Sequence, residues 1–312
     1  MKPLTEPPLY CAIDVSKDTL DVSGAQLALP AQLDNKLSGF RQLIQAAKKY
    51  PGRVQFVFES TGAYHLGLAL ALWEAQLPLS ILNPARVRHY AKALGKAKTD
   101  PLDKQLIGDF ARSTQPEPTP APDPTTRELS ELLQRRDSLI ASRAAEQTRL
   151  TQSRHKLVRT QIASSIKHLT QQLKAIDQLM AKLVADSKAL NLKVRALCQV
   201  SGVALLTAVT LLITLPELGS LGRNRIARLV GLAPLNDDSG KRTGKRFIQG
   251  GRFRPRWALY MAAITASVHN PILGPFYQRL LKAGKPKKVA LTALMRKLLI
   301  HLNSLLRPLV AT

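Results

Sequence analysis

Residues 9–25 read LYCAIDVSKDTLDVSGA, and this stretch sets the fold class. Leu9 to Val15 is a short apolar run broken by one acid, Asp14. A tight turn follows, and Thr19 to Ala25 reads as the second arm of a hairpin. Further along, RVQFVFES (53–60) predicts a buried strand ending in a second acid, Glu59, and LPLSILN (77–83) predicts another strand. Helical spacing runs through LSGFRQLIQAAKKY (37–50), AYHLGLALALWEAQ (63–76) and PARVRHYAKAL (84–94), the last opening on Pro84. A hairpin joined to strand–helix–strand units predicts a mixed α/β sheet flanked by helices over residues 1–114.

Beyond it lies QPEPTPAPDP (115–124), whose alternating prolines predict an extended, semi-rigid linker. From Thr125 to Ser201 there is neither Gly nor Pro. Ile162, Ile166, Leu169, Leu173, Ile176, Met180 and Leu183 recur there at alternating spacings of four and three. That seam predicts a coiled coil or a helical hairpin over 125–190. Its apolar face has two possible uses, packing within its own domain or pairing with a second chain. Residues 191–312 predict a mostly α-helical domain interrupted by a turn-rich basic insert, LNDDSGKRTGKRFIQGGRFRPR (235–256).

The formal net charge of +25 is unevenly placed: +3 over 1–122, +5 over 123–190 and +17 over 191–312. So strong a basic excess points to a polyanionic partner, most often nucleic acid. A membrane surface would want bulky apolar anchors, and aromatic residues make up only 5% of the chain. The longest apolar run, Val203 to Leu215, is interrupted by threonines and is too short to span a bilayer, and the N-terminus has no apolar signal core. The expectation is a cytoplasmic, nucleoid-associated protein with no membrane partner. Cys11 and Cys198, far apart, build neither a disulfide framework nor a zinc site.

Four acids are candidate metal ligands. Asp14 sits inside an apolar strand, where a carboxylate is costly unless it is paired or binds a cation. Glu59 ends another such strand. In KTDPLDK (98–104), Asp100 suits a helix N-cap and Asp103 the third helical position, so capping competes with metal binding there. If the elements converge, four carboxylates repel unless a divalent cation neutralises them. Mg²⁺, or Mn²⁺, takes oxygen ligands and keeps positions open for phosphate oxygens and water. Asp18, Asp21 and Asp109 compete less well, in a turn, on a solvent face and on another helical face.

The candidate nucleic-acid contacts are Lys98, Arg223, Arg225, Lys241, Arg242, Lys245, Arg246, Arg252, Arg254 and Arg256, with Arg228 in the same run. Gly202, in VSGVALLTAVTLL (200–212), resembles the turn of half a helix–hairpin–helix, where backbone N–H groups hold a phosphate. Ser239, in DDSGK, reads by composition as a turn residue, and spacing alone does not single it out.

Taken together, AIDVSKDTLDV (12–22), ESTGAYH (59–65), NPARVRHYAKALGKAKTDPLDK (83–104) and GLAPLNDDSGKRTGKRFIQGGRFRPRWALYMAA (231–263) resemble the DEDD transposases of bacterial insertion sequences. That family includes the Piv DNA invertase and the bridge-RNA-guided recombinases. The resemblance covers nearly the whole chain. It implies an RNase-H-like, RuvC-like N-terminal domain with metal-binding acids at Asp14, Glu59, Asp100 and Asp103. It implies a serine nucleophile at Ser239 that forms a covalent link to DNA. It also implies donor and target DNA as substrates, a structured non-coding bridge RNA as guide, and a homodimer or homotetramer with composite sites. Lys104 departs from the pattern, standing where a small residue is expected.

Overall fold

A computed structural model describes residues 8–23, 25–60, 64–95, 100–235, 244 and 246–310, with backbone alone at 25, 100–103 and 235. The chain divides into two compact units, 1–122 and 123–312.

The first unit is built on five strands: β1 (Leu9–Val15), β2 (Thr19–Ser23), β3 (Gln32–Asp34), β4 (Val54–Glu59) and β5 (Leu79–Leu82). Their order is β3-β2-β1-β4-β5. β1, β2 and β3 pair antiparallel, and β1, β4 and β5 pair parallel, so the sheet is mixed, as expected. The three-residue β3 has no apolar alternation of its own and was not anticipated. Four helices accompany the sheet: α1 (Leu37–Lys49), α2 (Leu66–Glu74), α3 (Pro84–Ala93) and α4 (Asp100–Thr114).

Side-chain alternation sorts the sheet into two buried faces. Cys11, Ile13, Val15, Phe56 and Phe58 pack with Phe40 and Leu43 of α1 and Leu68 and Leu72 of α2. Tyr10, Ala12, Val57 and Leu82 pack with Val87 of α3 and Leu106, Ile107 and Phe110 of α4. Asn83 caps α3 by accepting from the Ala85 N–H at 2.9 Å, with Pro84 as its first residue. The Pro-rich stretch is hydrogen-bonded to β5 and its neighbours. The Thr119 N–H donates to the Leu79 carbonyl at 2.7 Å, Ser80 Oγ donates to the Glu117 carbonyl at 2.7 Å, and Gln55 Nε2 to the Pro116 carbonyl at 2.8 Å. Proline removes donors and leaves acceptors, which is how such a segment can still cover a sheet edge.

The second unit opens with α5 (Pro124–Gln152) and α6 (Lys156–Asp186), joined by three residues into an antiparallel hairpin. Arg136 bridges to Asp177 across it at 2.6 Å. Asp123 caps α5, accepting from the Thr126 N–H at 3.0 Å and from the Thr126 hydroxyl. Next come α7 (Lys188–Cys198), α8 (Leu205–Thr214), α9 (Arg223–Val230), a ribbon of β6 (Pro234–Leu235) and β7 (Phe247–Ile248), α10 (Phe253–His269), α11 (Leu273–Lys282) and α12 (Lys287–Val310). Leu129, Leu133, Met180 and Val184 at the root of the hairpin join one core with α7 to α10 and α12. Between Ile140 and Gln172 no side chain is buried, so Ile162, Ile166 and Leu169 keep part of their surface open.

By length and apolarity α12 could cross a bilayer, but half of that window is buried, with Leu294, Leu298 and Leu302 fully inside the core. Asn303 on the same helix is also buried. It accepts from the Gly219 N–H at 2.9 Å and donates to the Leu221 carbonyl at 2.9 Å, tying the turn before α9 to the core.

Candidate active site

Strand register determines where the first two acids go. Ile13 pairs with Phe58 in the parallel β1–β4 ladder, so Asp14 and Glu59 are the next residues on two adjacent strands. Neighbouring strands lie about 4.8 Å apart. Both acids alternate with Ala12 and Val57, so both belong to the α4 face, at the C-terminal strand ends. Asp14 is half-buried and Glu59 is 6% exposed. Asp14 also pairs in register with Asp21 of β2, whose side chain takes the Gln32 amide at 3.2 Å.

α4 runs antiparallel to these strands. A Cβ on Gly108 would lie 3.6 Å from the Ala12 Cβ, and the chain leaves α4 to meet Gln55 at the start of β4. From 108 back to 103 the helix rises about 7.5 Å, close to the two strand residues from 12 to 14. The backbone of α4's first turn therefore lies towards the strand ends that carry Asp14 and Glu59. Asp100 and Asp103 occupy that turn, on the 3–4 spacing that continues through Ile107 and Phe110. Their side chains lie outside the described residues. Asp109 belongs elsewhere, bonded to Arg112 at 2.6 Å on the exposed side.

Among the described residues no group of three or more metal-ligating side chains gathers. Two carboxylates side by side at strand ends are a donor set of hard oxygens, which suits Mg²⁺ or Mn²⁺ and not a soft metal.

Ser239, Lys241, Arg242 and Lys245 lie outside the described residues, as does Lys98. The frame around Ser239 is described. β6 and β7 pair antiparallel, Leu235 with Phe247, on either side of the segment that carries the serine. Gly231 ends α9 in the left-handed region at φ +75°. The chain returning from β7 presses on it: the Arg252 N–H donates to the Leu229 carbonyl at 2.9 Å, and Gly251 lies against the Gly231 amide.

The basic residues divide into two groups. Arg223, Arg225 and Arg228 on α9 and Arg246 before β7 are exposed. Arg252, Arg254 and Arg256 have partners inside the unit. Arg252 grips both Glu217 oxygens at 2.5 and 2.7 Å. Arg254 Nε bonds Asp137 Oδ2 at 2.9 Å. Arg256 donates to the Gly250 carbonyl. Sequence reasoning missed Glu217 and Asp137. Only three acids stand in 191–312, which marks Glu217 as a target for some arginine there, though spacing does not say which; Asp137, outside that stretch, carries no such signal. Gly202, at φ +102°, lies before α8, and a Cβ there would meet the Ala262 carbonyl and Ala266 at 2.9 Å. Close packing on α10 accounts for this glycine, and the exposed Ala204 and Leu205 lead into the start of α8.

Two family models match. Residues 11–159 match a DEDD transposase of the IS110 type, and residues 194–278 match a transposase of the IS116/IS110/IS902 family. Between them they cover about three-quarters of the chain. Pilin gene-inverting proteins of Moraxella lacunata and Moraxella bovis are each 28% identical over 300 residues, spanning 93% of both chains.

Proposed function

The chain belongs to the DEDD transposase family of insertion sequences, and from that membership we propose that it cuts and rejoins DNA through a covalent serine–DNA link. It is a DNA-rearranging enzyme by family. The finer reading assigns Ser239 as nucleophile and Asp14, Glu59, Asp100 and Asp103 as the metal-binding acids. One observation carries it: Asp14 and Glu59 sit side by side on the sheet face that α4 covers, with Asp100 and Asp103 in the turn nearest them. The mixed strand order supports the RNase-H-like description of this unit.

In the proposed reaction Ser239 Oγ attacks a DNA phosphate. The Oγ–P bond forms as the serine hydroxyl gives up its proton, one P–O bond to the sugar breaks, and the departing sugar oxygen takes up a proton, so that no net proton is consumed. The exposed Arg223, Arg225 and Arg246, with Lys241, Arg242 and Lys245, hold the phosphate backbone and spread its charge. Arg252, Arg254 and Arg256 fix the base of the insert through their internal bonds. A bound Mg²⁺ or Mn²⁺ would supply positive charge beside phosphate oxygens. The four carboxylates hold that position and keep the sheet end polar.

Sequence choice is assigned to a bridge RNA pairing with donor and target DNA, which suits a basic protein without a base-reading motif. The open seam at Ile162, Ile166 and Leu169 is assigned to pairing between copies, as a homodimer or homotetramer acting at the nucleoid.

The test is strand exchange in vitro. Ser239→Ala, Asp14→Asn and Glu59→Gln should each lower it by about a hundredfold or more, while Asp109→Asn leaves it near wild type. Full cleavage by Ser239→Ala would instead indicate hydrolysis by water.

A further inference from the structure

A groove of about 690 Å³ opens in the second unit beside the β6–β7 ribbon. Phe247 and Ile248 of β7 form one wall, and Val289, Ala293 and Ile300 of α12 form the other. Arg246, Lys288, Arg296 and Lys297 stand along it, and no acid lines it among the described residues. The Lys297 ammonium lies 4.4 Å from the centre of the Phe276 ring, which anchors that edge. Phe247 is 48% exposed and Val289 53% exposed, so the apolar surface is open.

An apolar floor ringed only by cations complements a ligand with a flat apolar body and anionic flanks. The volume suits one small ligand, not a base-paired segment. A lipid surface would need a convex apolar face, whereas this surface is concave. We propose that the groove takes an unstacked nucleotide of single-stranded DNA, its base between Phe247 and α12 and its phosphates on Arg246, Lys288 and Arg296. The choice of DNA rests on the serine reading above. Arg246 and Phe247 come seven and eight residues after Ser239 in the chain, a separation that keeps the groove within reach of a strand joined to that serine.

The test uses the full chain in chelator, where no chemistry proceeds. Binding of a fluorescent single-stranded DNA oligonucleotide is compared with that of the same sequence as duplex and as RNA. Ala293→Trp fills the groove. Lys288→Ala removes an exposed rim charge and serves if the first variant does not fold. Ala293→Trp should weaken single-stranded DNA by about tenfold, the worth of one base–aromatic stack, Lys288→Ala by a few-fold, the loss of one phosphate contact, and each should weaken duplex by less than about twofold. Unchanged single-strand binding, or equal loss for duplex, would overturn the proposal. So would tighter binding of the RNA that either variant abolishes. Failure of the serine reading appears separately, as absence of a protein–DNA adduct with this binding intact.

Discussion

Gly231→Ala is the most informative change to the frame that carries Ser239. Gly231 has φ +75°, and its missing Cβ is the space that the Gly250 carbonyl and the Arg256 guanidinium occupy. A left-handed alanine costs about 1–2 kcal/mol. Displacing a backbone carbonyl adds about 1–3 kcal/mol, the usual penalty of overpacking. The total is roughly 2–5 kcal/mol. Gly284 gives the control: its φ is +74°, but nothing lies within 4 Å of an added Cβ. Gly284→Ala should carry only the backbone penalty of about 1–2 kcal/mol. Calorimetry of each variant reads the difference. For a unit of this size, about 2–4 °C per kcal/mol gives roughly 10 °C for Gly231→Ala and about 4 °C for Gly284→Ala. Strand exchange should fall further in the first than its melting loss explains, because the β6–β7 ribbon moves. Equal melting shifts would refute the contact between α9 and the returning chain.

Arg252→Ala should destabilise the second unit by about 1–2 kcal/mol in denaturant unfolding, since both partners of the Glu217 pair are partly exposed. Arg252→Lys should recover only part of that, because lysine lacks the planar fork. Asn303→Leu should cost more, about 2–4 kcal/mol, by stranding the Gly219 N–H and the Leu221 carbonyl. Burial raises the Asp123 carboxyl pKa, but the Thr126 hydroxyl and the Thr126 and Thr125 N–H groups outweigh it and hold it below its ordinary value. Its capping contribution is therefore intact above the unfolded carboxylate pKa and lost as pH falls through the lower folded one. Asp123→Ala should remove about 1 kcal/mol at neutral pH and flatten acid unfolding; an unchanged acid limb would contradict the cap. Burial pushes the Cys11 thiol up to about 12 and raises that of Cys198. Thiol titration at neutral pH should label the exposed Cys198 slowly and Cys11 only on unfolding.

Much of this fold is written locally. The apolar runs at 9–15 and 53–60, the helical spacings and the heptad seam each predict their element without knowledge of the rest. The seam did not identify its partner: Leu173 is buried and Met180 joins one core with Leu129 and Leu133 of α5, while Ile162 and Ile166 remain half-open, a tertiary outcome. Asp14 stood out because a carboxylate inside an apolar strand needs a reason. Its adjacency to Glu59 depends on the Ile13–Phe58 register, which no local pattern contains. Asp100 and Asp103 stayed ambiguous because a helix start and a hard cation favour the same residues. Arg252 read as a phosphate ligand because its partner, Glu217, is 35 residues away. The prolines at 116–124 signalled a linker by composition, but the stretch keeps its carbonyl acceptors: Gln55 of β4 uses that of Pro116 and Ser80 of β5 that of Glu117. Ser239 came from the family resemblance alone, since a turn serine carries no signal of its nucleophilicity.

Covalent trapping tests the serine chemistry most directly. Protein, Mg²⁺, RNA transcribed from beside the gene, and labelled donor and target DNA are mixed and resolved on a denaturing gel. The expected result is a protein–DNA adduct that disappears with Ser239→Ala and with Asp14→Ala. Cleaved DNA with no adduct, equally abundant with Ser239→Ala, would contradict it.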